Sequence, residues 1–161
     1  VLRAKRRNRY ARFPHHANRG NLVLLTALFL SGLAISRRLK RTGISVYLIL
    51  WALSYYVIYA GTCRHCPYYG KRCPIPLEGG LVNSFCAPGS QRFGYAALFW
   101  ALIAYLLRTM LPASVMLHDR LLKQGSAYFG ILAAFWVNHL FIEGCPNCIN
   151  TACPLNPEYR A

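Results

Sequence analysis

Residues 44–73 read ISVYLILWALSYYVIYAGTCRHCPYYGKRC. Positions 44–61 contain no charged residue and no proline, and their polar side chains do not fall on one face. The 3.6-residue periodicity of a soluble amphipathic helix is therefore missing. At 1.5 Å per residue this run is about 27 Å long, close to the roughly 30 Å of a hydrocarbon core. The composition then changes within a few residues. Cys63, Cys66 and Cys73 arrive together with Pro67, Gly70 and the basic Arg64, His65, Lys71 and Arg72. Proline offers no N–H and fixes φ, so the helix ends here in an open turn that carries sulfur.

The same order recurs near the other end of the chain. An apolar run at 127–142 is followed by Cys145, Cys148 and Cys153, with Pro146 and Pro154 directly after two of them. Two more apolar runs, 22–35 and 94–107, lack cysteine. Across 161 residues the hydrophobic fraction is 55%, with only four acidic side chains, which is unusual for a soluble domain. Arg19, Arg37, Arg38, Arg92 and Arg108 are placed to snorkel, and Tyr55, Tyr56, Tyr59, Phe93, Tyr95 and Trp136 suit an aromatic belt. The expectation is an all-α fold, a four-helix transmembrane bundle. Residues 112–124 are expected to form a short interfacial helix with an Asp119–Lys123 pair.

Four crossings put the amino terminus and both cysteine triplets on one membrane face. The expected organisation is a basic arm, 1–21, and a membrane domain, 22–161, whose loops 62–92 and 144–161 form a cysteine-rich cap. Twelve Lys and Arg fall on the cysteine side and seven on the other, counting Arg108 among the seven. The positive-inside rule then favours a cytoplasmic cysteine face and amino terminus in a plasma or inner membrane.

In a reducing compartment, clustered CxxC thiols more often hold metal than form disulfides. Cys63, Cys66, Cys73, Cys145, Cys148 and Cys153 are the expected metal ligands, for an iron–sulfur cluster or zinc, with Cys86 or His65 as additional ligands. Disulfides with no cofactor are the competing reading. His139, four residues before Glu143 on one helical face, is a candidate cofactor-binding residue; its alternative role is simply to bond Glu143.

The string from Cys63 to Cys73 resembles the CxxCxYYGxxC segment of small polytopic membrane proteins of anaerobes, over eleven residues. The CPxCxxxxCP pattern at 145–154 extends the likeness. The resemblance implies a membrane setting and supplies no activity. Residues 22–73 and 94–153 also read as a parallel repeat, or equally as two hairpins that both end at an interface.

The arm carries Arg3, Lys5, Arg6, Arg7, Arg9, Arg12 and Arg19 with no acid, within a net charge of +15. Such a block is not expected to fold on itself, so lipid phosphates or an acidic protein surface are the expected ordering agents. Too few aromatic residues interleave with it for a nucleic-acid platform. Val1 in place of methionine points to processing or trimming, and no apolar h-region precedes Leu22 to mark a cleavable signal. The acids are scattered, and no phosphate-binding glycine loop, GxSxG or CxxCH is present. Together these features point to a non-catalytic accessory or electron-transfer subunit of a membrane redox complex, with other subunits and anionic lipid as partners. The alternatives are a membrane thiol–disulfide oxidoreductase and a disulfide-braced structural or assembly subunit.

Overall fold

The computed structural model describes residues 7–89 and 93–159. Arg3, Lys5, Arg6, Arg92 and Arg160, with Val1 and Ala161, lie outside the described residues. All regular elements among the described residues are helical: α1 (Arg19–Ser36), α2 (Lys40–Gly61), α3 (Glu78–Phe85), α4 (Tyr95–His118) and α5 (Leu122–Val137), the last extended by a π-helical turn at Asn138–Ile142. Strand pairing is limited to an isolated bridge between Tyr10 and Cys148.

Three helical stretches are long and apolar enough to cross a membrane: His15–His65, Tyr95–His118 and Leu122–Asn147. The first has 51 residues, about 76 Å if straight, more than twice a hydrocarbon core. It folds back on itself. A 3-10 turn at Arg37–Leu39 leads into Lys40 with φ of 56°, a left-handed conformation that stops helix propagation. Beyond it the Tyr47 hydroxyl of α2 donates to the Phe29 carbonyl of α1 at 3.1 Å, so the two helices run antiparallel. The α4–α5 connection reverses in the same way, at Arg120 with φ of 50°.

The expected interfacial helix at 112–124 does not form. α4 continues through Pro112 to His118. Proline in a helix forfeits one backbone bond, to the carbonyl four residues back, and Pro112 is fully buried, so packing holds the helix through it. Asp119 pairs with His118 at 2.8 Å rather than with Lys123.

α2 packs most extensively against α4. Gly61 is what allows it, because a Cβ there would run into the Trp100 indole. The core between the helices is built from Leu25, Leu28, Tyr47, Ile58, Ala104 and Phe135. The outer faces carry Val23, Ile49, Phe99, Leu102, Leu106 and Phe129 in exposed positions, an apolar surface of the kind that lipid covers.

Arg108 departs from its expected place. It does not snorkel to the far interface but is completely buried, with Nε donating to Ser54 Oγ at 2.8 Å and an ion pair to Glu78 at 3.2 Å. Its guanidinium lies 4.5 Å from the Tyr55 ring centre, 4.7 Å from Tyr105 and 5.3 Å from Trp51. The reason is α3, a helix within the expected 62–92 loop. The Tyr59 hydroxyl holds the Leu77 carbonyl at 3.0 Å, and Leu77 at φ 68° turns the chain into α3. Glu78, the first α3 residue, is thereby delivered into the helical interior.

Candidate functional site

Both CxxC pairs end a long helix in the same local geometry. Cys63–His65 is a 3-10 turn in which the Cys66 N–H donates to the Cys63 carbonyl at 3.1 Å. Cys145–Asn147 repeats it, with Cys148 N–H to the Cys145 carbonyl at 3.3 Å. The third cysteines return by tight turns. Gly70 at φ 66° bends the chain before Cys73, and the Cys153 N–H closes onto the Asn150 carbonyl at 3.2 Å.

The helix ends that carry these turns are tied together. Glu143 accepts from the Gly20 and Asn21 N–H groups at 3.0 and 2.9 Å, capping α1 where the helix dipole favours a carboxylate. The alternative role for His139, a bond to Glu143, is not seen: Glu143 takes a bond from Asn138 Nδ2 at 3.1 Å, where the π turn at Asn138–Ile142 presents it to α1. Asn21 in turn donates to the Pro74 carbonyl at 3.0 Å, and Thr62 to the Ala97 carbonyl at 2.7 Å.

As a result Cys63, Cys66, Cys73, Cys145, Cys148 and Cys153 all line one cavity of about 140 Å³. Its remaining wall includes Tyr68, Glu78, Tyr105, Trp136 and His139. Cys86 and His65 are not part of this wall; Cys86 ends α3, where its carbonyl accepts from the Tyr69 hydroxyl at 2.7 Å. No sulfur–sulfur bond joins the cysteines in this structure. Among the described residues, no three His, Cys, Asp or Glu side chains stand close enough together to hold one metal ion. The sulfurs surround a space and do not meet at a point.

Backbone groups point at several of these sulfurs. Gly79 N–H donates to Cys73 Sγ at 3.3 Å and Asn150 N–H to Cys148 Sγ at 3.4 Å. Burial pushes the Cys66 thiol up, and a backbone hydrogen bond from Tyr68 works against it. Burial raises Cys153 to about 11, opposed by backbone hydrogen bonds at Leu155 and Asn156. For Cys73, burial and then the nearby Glu78 charge push the thiol up to about 12. Metal must displace protons from such thiols, while the N–H donors would stabilise the thiolates once formed.

Sequence reading missed Glu78, Tyr105 and Tyr68. One signal was available for the first: a lone arginine within an apolar run asks for a buried carboxylate partner. Burial raises the Glu78 pKa above the ordinary carboxylate value, and the Arg108 charge restrains the rise.

From Arg7 onward the arm is tied to the chain itself. Arg7 N–H reaches the Pro146 carbonyl at 3.0 Å, Tyr10 N–H the Asn147 carbonyl at 3.1 Å, and Phe13 N–H the Arg72 carbonyl at 3.1 Å. Phe13 is fully buried, edge-on to both Tyr10 and Tyr68. Tyr68 completes the strap by donating to the Tyr10 carbonyl at 2.6 Å and accepting from Ile149 N–H at 3.2 Å. Backbone pairing and one aromatic anchor thus hold the segment despite its charge, and Arg9 is offset by Glu158 at 2.5 Å. Comparison with protein-family models, curated proteins and solved structures finds no match to this chain.

Proposed function

We propose that the chain is a four-helix transmembrane bundle capped on one face by its two cysteine loops, and that the cap holds an iron–sulfur or zinc centre. In this reading it serves as an accessory or electron-transfer subunit of a membrane redox complex. The observation that carries the reading is the single cavity lined by six cysteines from two loops. Donor chemistry fits: thiolates with N–H groups directed at them suit an iron–sulfur cluster or zinc. Size favours the cluster. A cavity near 140 Å³ resembles an engineered one of about 150 Å³ that accepts benzene, whereas a single ion would require the sulfurs to close in. Arg108, paired with Glu78 in the wall, would offset that carboxylate's charge beside the sulfurs.

Orientation is part of the proposal. With Arg108 paired inside the helices, the seven cations of the far side become six, against twelve on the cysteine side. That supports a cytoplasmic cap, with exposed Arg7 and Arg12 meeting anionic lipid or an acidic subunit.

The test is purification without oxygen, followed by iron, acid-labile sulfide and zinc analysis with absorption and spin-resonance spectra. Iron and sulfide together, lost in both Cys66→Ser and Cys148→Ser, are the expected result. Metal-free protein carrying disulfides would replace the proposal with a thiol–disulfide or structural role.

A further inference from the structure

Outside the cysteine cavity lies a second, more open pocket of about 390 Å³. Cys66, Phe93 and Asn150 line both spaces. The outer pocket adds Arg64, His65, Pro67, Tyr69, Pro88 and Gly89, and its wall includes no carboxylate.

Its shape is fixed by the backbone. Gly89 N–H donates to the Arg64 carbonyl at 2.8 Å, and Tyr69 N–H to the Cys66 carbonyl at 3.0 Å. The Tyr69 hydroxyl holds the Cys86 carbonyl from the other side. Gly89 lies flat against the His65 imidazole, where any Cβ would collide with the ring. His65 is thereby pinned beside Arg64, and both are only half exposed.

Among the described residues no carboxylate side chain is left to neutralise them. Of its four acids, Glu143 caps α1, Glu78 pairs with Arg108, Glu158 with Arg9 and Asp119 with His118. Arg64 Nε and His65 Nδ1 are buried with no hydrogen-bond partner among the described residues. A half-buried guanidinium without a counter-charge is costly, unlike the solvated arginines of the arm. No described carboxylate supplies the missing charge.

We infer that this pocket binds an oxyanion of the phosphate type, held by the Arg64 guanidinium with His65 beside it. The planar fork of arginine suits such a group and forms charge-assisted hydrogen bonds to it. The pocket sits where α2 ends and α4 begins, at the level of lipid head groups, so the phosphate can be free in solution or part of an anionic lipid.

The full chain in neutral detergent would be titrated with inorganic phosphate by calorimetry, at fixed ionic strength. The same chain would then be placed in phosphatidylcholine nanodiscs with and without phosphatidylglycerol, and its thermal unfolding compared. Saturable binding of phosphate, competed by sulfate but not by chloride, is expected from a free-anion site. It should weaken about tenfold or more in Arg64→Gln and stay unchanged in Lys123→Gln, on the far side of the molecule. A head-group site is indicated instead by stabilisation specific to phosphatidylglycerol, reduced by added phosphate and lost in Arg64→Gln. The competition arm needs only the wild-type chain, so it remains decisive if a variant fails to fold. Chloride competing as well as sulfate, equal loss in both variants, or no response to either phosphate source would overturn the inference.

Discussion

Replacing Arg108 with methionine leaves Glu78 in the helical interior without its ion pair at 3.2 Å. The three aromatic rings would also lose the cation they surround. Removing one partner of a buried pair typically costs about 3–5 kcal/mol. Here the penalty has an upper limit, because Glu78 can escape its charge by taking a proton. Protonating a carboxyl group with an unfolded-state pKa near 4.3 costs about 3.7 kcal/mol at pH 7 and about 1 kcal/mol at pH 5. Glu78 in Arg108→Met would have a folded-state pKa raised above its unfolded value. Its stability deficit is thus absent below about pH 4.3 and grows as pH rises toward the folded pKa. Glu78→Gln in the same background removes the charge altogether and should recover most of the loss. The assay is reversible unfolding in mixed micelles followed by tryptophan fluorescence, since Trp51 lies beside the guanidinium. Expected are a loss of about 3 kcal/mol for Arg108→Met at pH 7, a smaller loss at pH 5, and recovery in the double variant. A pH-independent loss, or a double variant no better than Arg108→Met, would refute an ion pair as the organiser of this region.

Two further outcomes follow from the cysteine end. Phe13→Ala deletes the buried anchor of the strap; a loss of about 3 kcal/mol on removing a core aromatic corresponds to about a hundredfold larger open population. Trypsin cleavage after Arg7, Arg9 or Arg12 should accelerate to match, and an unchanged rate would show that backbone pairing alone retains the arm. The second concerns alkali. Unfolded thiols titrate near 8.5, whereas Cys153 and Cys73 are held up to about 11 and 12. Metal-free protein should keep the full thiol contribution to stability below about pH 8.5 and lose it progressively as pH rises through 11 and 12. A thermal midpoint that stays constant from pH 8 to 11 would contradict such burial.

Composition alone makes the chain helical and apolar enough for a membrane, since runs such as 44–61 leave no other way to satisfy backbone polar groups in lipid. The local pattern also puts each cysteine triplet at a helix end, because Pro67 and Pro146 stop what precedes them. Helix limits were less legible: Pro112 signals a break locally, yet burial between neighbouring helices overrides it. The fate of Arg108 lay beyond local pattern altogether, because the sequence separation between Glu78 and Arg108 is bridged only when α3 turns inward at Leu77. The same holds for Glu143, which helical spacing assigns to His139 and which a π turn hands to the first turn of α1. Meeting of the two triplets around one cavity was likewise a tertiary outcome. Spacing dictates which atoms a short segment presents, whereas partners distant in sequence are chosen by whichever packing buries the helices and still pairs their few charges.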